Sequence, residues 1–133
     1  MYGRGLLAAQ SGRLERAVEL FSQALEGRPT FGEPRRFRAI MLARLGRFAE
    51  AIADINTALQ AAPKSGATLY AAACVTSLAA EHAPNAAAAR QAKGESIRFL
   101  KQALANGYGQ DAANDDDLKA IQPLPEFQRL FLK

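Results

Sequence analysis

The chain holds one cysteine, one histidine and no tryptophan, and it has few β-branched residues and no long apolar run. With Cys74 alone, neither an internal disulfide nor a thiolate metal cluster can form, and a reducing compartment is expected. His82 alone excludes a two-histidine metal site and leaves Cys74 with His82 as the one nucleophile–base pair to consider. Eight residues apart on a helix, they would share roughly one face at about 12 Å along the axis, beyond hydrogen-bond reach. Cys74 is therefore read as a small packing residue or a groove-lining thiol, and His82 as a solvated helix-end residue. Glycine-rich phosphate loops, a His-Arg-Asp run and an Asp-Phe-Gly triplet are all missing. Gly107-Tyr108-Gly109 holds only a fragment of such a loop and reads as a helix terminator. No catalytic site, cofactor or metal is expected. Each apolar stretch is broken before the roughly 20 residues that a bilayer crossing needs. Met1 to Gln10 is too short in its apolar part for a secretory signal, so a cytoplasmic location without membrane attachment is expected.

What is present points to helix. Alanine dominates the sequence, and it loses no side-chain entropy on becoming helical. The length of 133 residues, with 49% hydrophobic and 23% charged residues, fits one globular domain able to bury a core. The formal charge is +4, with Arg35, Arg36, Arg38, Arg44 and Arg47 crowded together and Asp111, Asp115, Asp116 and Asp117 near the C-terminus. Arg35, Arg38 and Arg44 do not share one helical stripe, so they are read as a solvated face whose stems cover apolar neighbours. Nucleic-acid binding through them is the least favoured function. Asp115 to Asp117 lack the glycine and closing glutamate of a calcium loop and are read as capping the segment before Leu118.

The strongest signal is internal repetition. Gly12, Leu14, Ala17, Phe21, Ala24, Leu25 and Pro29 recur 34 residues later as Gly46, Phe48, Ala51, Ile55, Ala58, Leu59 and Pro63. Each glycine falls between two helices, where a left-handed backbone is needed. Phe21, Ala24 and Leu25, like Ile55, Ala58 and Leu59, have the i, i+3, i+4 spacing of a buried helical face. Each proline stops the second helix. Every unit is thus a helix–turn–helix pair.

A third unit starts on schedule at Gly66, with Leu69, Tyr70, Ala73 and Val75 on its apolar side. The second-helix signature then returns as Ser96, Ile97, Leu100, Ala103 and Leu104, 45 residues after Ala51, Ile52, Ile55, Ala58 and Leu59. Eleven extra residues around Glu81 to Gln91 must lengthen the helices or their connection. Pro84 is placed at a helix start, and Gly94 is the weak point of the longer second helix. Asn106-Gly107 ends that helix. Leu118, Ile121, Leu124, Phe127, Leu130 and Phe131 then form an apolar series, with Pro125 opening a short helix over Glu126 to Leu132 that covers the exposed end. The expected organisation is a single domain: a partial first unit over 1–31, a second over 32–65, an expanded third over 66–107 and a cap over 108–133.

Spacing and residue types resemble the tetratricopeptide repeat family, most plainly in Leu45-Gly46-Arg47-Phe48-Ala49-Glu50-Ala51-Ile52 and Ala58-Leu59-Gln60-Ala61-Ala62-Pro63. Arg35 and Arg38 stand where that family usually has large apolar residues, and Ala39 where it has a small glycine. The resemblance implies an all-α, right-handed superhelix of three helix pairs, the third expanded, closed by a short C-terminal helix. Residues 70–79, 103–108, 116–121 and 125–130 are similar to the C-terminal end of tetratricopeptide regions in bacterial serine/threonine protein kinases, notably of the planctomycete type. This implies that the chain is the C-terminal part of a longer bacterial signalling protein, a reading joined by the way it starts inside the first helix of a repeat.

In this family the first helix of each unit lines a concave groove for a protein or peptide partner. Carried over, the lining residues are Tyr2, Leu6 and Gln10; Glu33, Arg36, Ile40 and Arg44; and Ala67, Tyr70, Cys74 and Ser77. Leu6, Ile40 and Tyr70 would offer apolar contact, and Arg36 and Arg44 would anchor anions. The lysine, asparagine and arginine clamp for Glu-Glu-Val-Asp chaperone tails is replaced by Tyr2, Leu6, Phe37, Ala67 and Ala71, which disfavours that ligand. The expected function is a non-catalytic interaction or scaffold module; a self-associating homo-oligomeric unit is the alternative.

Overall fold

A computed structural model describes residues 13–27 and 32–132. Among these, six α-helices follow one another: α1 (Leu14–Gly27), α2 (Gly32–Arg44), α3 (Phe48–Ala61), α4 (Gly66–Glu81), α5 (Ala86–Ala105) and α6 (Pro125–Leu130). Two short 3₁₀ turns, Ala112–Asn114 and Asp116–Leu118, lie between α5 and α6. There is no strand among the described residues, and no helix there is long and apolar enough to cross a membrane. The protein has the all-α, helical-repeat architecture that the 34-residue period implied.

The helices form where the apolar spacing places them. Ala17, Val18, Leu20, Phe21 and Leu25 make the buried face of α1, and Ala51, Ile55 and Ala58 make that of α3. Helix α4 is apolar almost all round, burying residues from Thr68 to Ala80, so it must lie in the middle. It packs against α2, α3, α5 and the second 3₁₀ turn, while α1 rests on α2 and α6 on α5. Each helix thus touches its neighbour in sequence, and α2 also touches α4 as in a stacked solenoid.

The helix ends follow local chemistry. Gly46 adopts a φ of +80° and Gly107 one of +81°. At the first, the Gly46 N–H donates to Ala43 O and the Arg47 N–H to Leu42 O; at the second, Gly107 donates to Leu104 O and Tyr108 to Ala103 O. Both are Schellman closures, which satisfy the carbonyls that a helix end leaves open. Ser65 caps α4 by accepting from the Thr68 N–H, and Asn85 caps α5 by accepting from Ala88. Pro84 therefore precedes the cap instead of starting the helix, because the asparagine side chain takes the capping role. Pro125 opens α6, where the missing N–H costs nothing.

The helix bounds account for all eleven extra residues of the expanded unit. Three lengthen α4 relative to α2, one lengthens the connection, and seven extend α5 ahead of Ser96. Gly94 lies within α5, with no neighbouring atom near where a Cβ would stand. Two core clusters result. The first joins α1 to α4 through Phe21, Leu42, Ile55 and Val75; the second joins α4, α5 and the tail through Cys74, Leu100, Leu118, Ile121 and Phe127.

Candidate functional site

A cleft of about 550 Å³ opens between α2, α4 and the tail. Its α2 wall is Glu33, Arg36, Phe37, Ile40, Met41 and Arg44; its α4 wall is Ala67, Tyr70, Ala71 and Cys74; and Tyr108, Asp115 and Asp117 close it. The two helical walls are one stripe repeated, for Ala67, Tyr70, Ala71 and Cys74 lie 34 residues after Glu33, Arg36, Phe37 and Ile40. Positions three and four apart share a helix face, so a strict repeat register brings both sets to the same side of the stack.

The tail contributes the polar end. Arg44 grips Asp117 with both arms of its fork, Nε to Oδ1 at 2.9 Å and Nη2 to Oδ2 at 2.7 Å. That charge-assisted pair holds the Arg44 pKa above its ordinary value. Asp115 accepts from the Tyr70 hydroxyl at 2.7 Å through Oδ2 and from the Asp117 backbone N–H at 2.9 Å through Oδ1. Gln122 fastens the same turn by donating to the carbonyls of Asp115 and Ala112. Burial first, and the Asp115 bond second, push the Tyr70 phenol upward. Burial pushes the Cys74 thiol up as well, with Asp115 and Asp117 adding to it, so it stays protonated. The Tyr70 and Tyr108 rings meet edge to face, with centroids 5.4 Å apart. Gly109, at a φ of +111°, lets the chain pass the Tyr70 ring, which a Cβ would approach to 3.1 Å.

Of the residues named from sequence, Glu33, Arg36, Ile40, Arg44, Ala67, Tyr70 and Cys74 come together in this cleft. Ser77 does not: it is fully buried, away from the cleft. The register held the clue, because Ser77 stands 34 residues after Ala43, which is also fully buried. Tyr2, Leu6 and Gln10 lie outside the described residues. The role expected for Arg44 as a free anion anchor is corrected too, since Asp117 already occupies its fork. Asp115 caps the turn as expected, by accepting from the Asp117 N–H, but the ion pair of Asp117 went unforeseen. Arg44 and Asp117 are 73 positions apart, and no local pattern links them. His82 ends α4 exposed, with its Nδ1 3.1 Å from Leu78 O and its ring centroid 5.7 Å from that of Phe48.

The solvated-face reading of the arginines is overturned for Arg38. Its Nη2 and Nε donate to Asp54 Oδ1 and Oδ2 at 2.6 and 2.7 Å, its Nη1 donates to Ser22 at 3.2 Å, and its side chain is only 21% exposed. Arg35 lies 3.4 Å from the same carboxylate. Asp54 occupies the buried stripe of α3 beside Ala51, Ile55 and Ala58, so its charge draws both guanidiniums inward.

Residues 2–66 match the family model of the tetratricopeptide repeat. That match supports a tetratricopeptide repeat family for the part that reaches the first residue of α4; the rest of α4, α5 and the tail lie beyond it. No curated protein matches the chain. The cleft lies on the face that α2 and α4 share. Phe37, Ala67 and Ala71 on its walls offer no donor to the carboxylates of a chaperone tail.

Proposed function

We propose that this chain is a non-catalytic protein-interaction module whose cleft between α2, α4 and the tail receives a segment of a partner protein. The observation that carries this reading is the pair of walls 34 residues apart, which gives a concave, largely apolar surface with a few placed polar groups. Tetratricopeptide repeats in general mediate protein–protein interaction, and the match over residues 2–66 supports that class. The division into units at 1–31, 32–65, 66–107 and 108–133 is part of the same proposal. Arg38 and Arg44 are tied to carboxylates, which weighs against nucleic-acid binding through them.

The test compares proteins retained by the parent chain with those retained by Arg36→Glu and Tyr70→Ala, each checked for folding by circular dichroism. A changed set of specific partners in both variants supports the cleft, and identical partner lists overturn it. A bacterial signalling context rests on the similarity of residues 70–79, 103–108, 116–121 and 125–130 to kinase-linked repeats. A kinase catalytic domain encoded in the same reading frame is the finding that supports it, and a frame encoding no such domain removes it.

A further inference from the structure

The chain as a whole carries +4, yet its cleft has the opposite sign. Three carboxylates line it, Glu33, Asp115 and Asp117, against two guanidiniums, Arg36 and Arg44. The imbalance is concentrated at the tail end. There, carboxylate oxygens of Asp115 and Asp117 lie within 4.8 Å of each other and of Cys74 Sγ. Arg44 spends both arms of its fork on Asp117. Asp115 is held by three neutral donors, the Tyr70 hydroxyl, a backbone N–H and, at 4.0 Å, the Cys74 thiol, which orient the carboxylate without cancelling its charge. Two carboxylates therefore share one guanidinium beside an apolar surface, where a charge lacking a counter-ion is costly.

We infer that the cleft recognises a cationic side chain, a lysine or arginine, carried on an apolar stretch of the partner polypeptide. The inference rests on the interaction-module reading above and names the chemistry of its partner. An incoming ammonium or guanidinium meets the uncompensated Asp115, with the Tyr70 and Tyr108 rings beside it as further cation-attracting surface. Tyr108 is 47% exposed at the rim, open to such a contact. Apolar neighbours of that residue have Ile40 and Ala71 to lie on. An incoming carboxylate would instead have to displace Asp117 from Arg44, or Glu33 from Arg36, and meet repulsion from Asp115. A divalent metal is the poorer fit, because the Cys74 thiol is held protonated and Asp117 is already engaged.

An array of randomised hexapeptides, probed with the intact chain in EDTA, tests this directly. Lysine or arginine at one position is expected to be favoured over aspartate or glutamate by about tenfold in retained protein. Asp115→Asn keeps the capping geometry and the Arg44–Asp117 pair but removes the excess charge, and should flatten the preference. Arg44→Gln leaves both carboxylates without their cation and should steepen it. Opposite shifts in two variants with native circular dichroism cannot come from unfolding. Enrichment of acidic or neutral peptides by the parent, or a cationic preference that survives in Asp115→Asn, would overturn the inference while leaving an interaction module in place. A preference seen only when EDTA is omitted would overturn it in favour of a metal bridge. No peptide of any charge retained would remove the cleft as a protein-binding site, and the functional reading with it.

Discussion

At the scale of single residues, the carboxylate of Asp54 is a costly choice on an apolar stripe. It is tolerated because Arg38 supplies a bidentate partner at 2.6 and 2.7 Å, and that hydrogen bond in turn raises the pKa of the guanidinium. Removing one member of a buried pair is worse than never having built it, because the survivor keeps its desolvation cost. Asp54→Ala should lower the unfolding free energy by about 2 kcal/mol, the buried-pair value discounted for the partial exposure of Arg38. Arg38→Met with Asp54→Leu, which replaces the ion pair by an apolar one, should return to within about 1 kcal/mol of the parent. Urea unfolding reads both, and a double variant no more stable than Asp54→Ala would rule out the ion-pair account. Ser77 presents the reverse case. Its hydroxyl is buried without a hydrogen-bond partner among the described residues. Ser77→Ala should therefore stabilise the protein by about 1 kcal/mol, and a lower urea midpoint would show that the hydroxyl is satisfied.

At the scale of elements, two glycines on helices separate conformational cost from close packing. Gly94 sits within α5 with open space where an added methyl group would stand, so Gly94→Ala should add close to 1 kcal/mol by removing backbone freedom from the unfolded chain. Gly66 starts α4 where a Cβ would stand 2.7 Å from the Tyr108 Cβ and 3.3 Å from the Asn106 carbonyl. Gly66→Ala should cost about 2 kcal/mol as the turn after α5 is forced away. Thermal melts of the two should move in opposite directions, and a shared sign would mean that close approach does not decide the Gly66 position. The elements were legible in the sequence wherever their chemistry is local. The Ala51, Ile55, Ala58 spacing, the Gly46 and Gly107 terminators and Pro125 at the start of α6 each act within one turn. The walls of the cleft were legible because a repeat register carries a face from one unit to the next. The closing end of the cleft was not, because Asp115 and Asp117 reach Tyr70 and Arg44 only through the path of the tail after α5. Arg38 was misread although Asp54, a carboxylate at i+3 from Ala51 and one residue before Ile55, marked the buried position that needed a cation.

At the scale of the whole molecule, stability is passed from neighbour to neighbour. The two core clusters meet at Ile40 and Phe99, and α4 belongs to both. Such a stack opens most readily at its ends, and damage at one end should be felt less at the other. Leu118 is fully buried in the second cluster, while Phe21 anchors the first from α1. Leu118→Ala should cost about 3 kcal/mol locally, through lost burial and the cavity left behind. Hydrogen exchange is then expected to quicken by about a hundredfold in the tail and at the adjoining turns of α4 and α5, in proportion to that loss. Alkylation of Cys74, slow in the native chain because the thiol is 1% exposed and held protonated, should quicken with them. Amides of α1 should keep most of their protection, since no side chain of that helix belongs to the damaged cluster. If α1 instead loses protection as strongly as the tail, the chain opens as one cooperative unit, and the walls of the cleft would move together instead of flexing at the boundary between α4 and the tail.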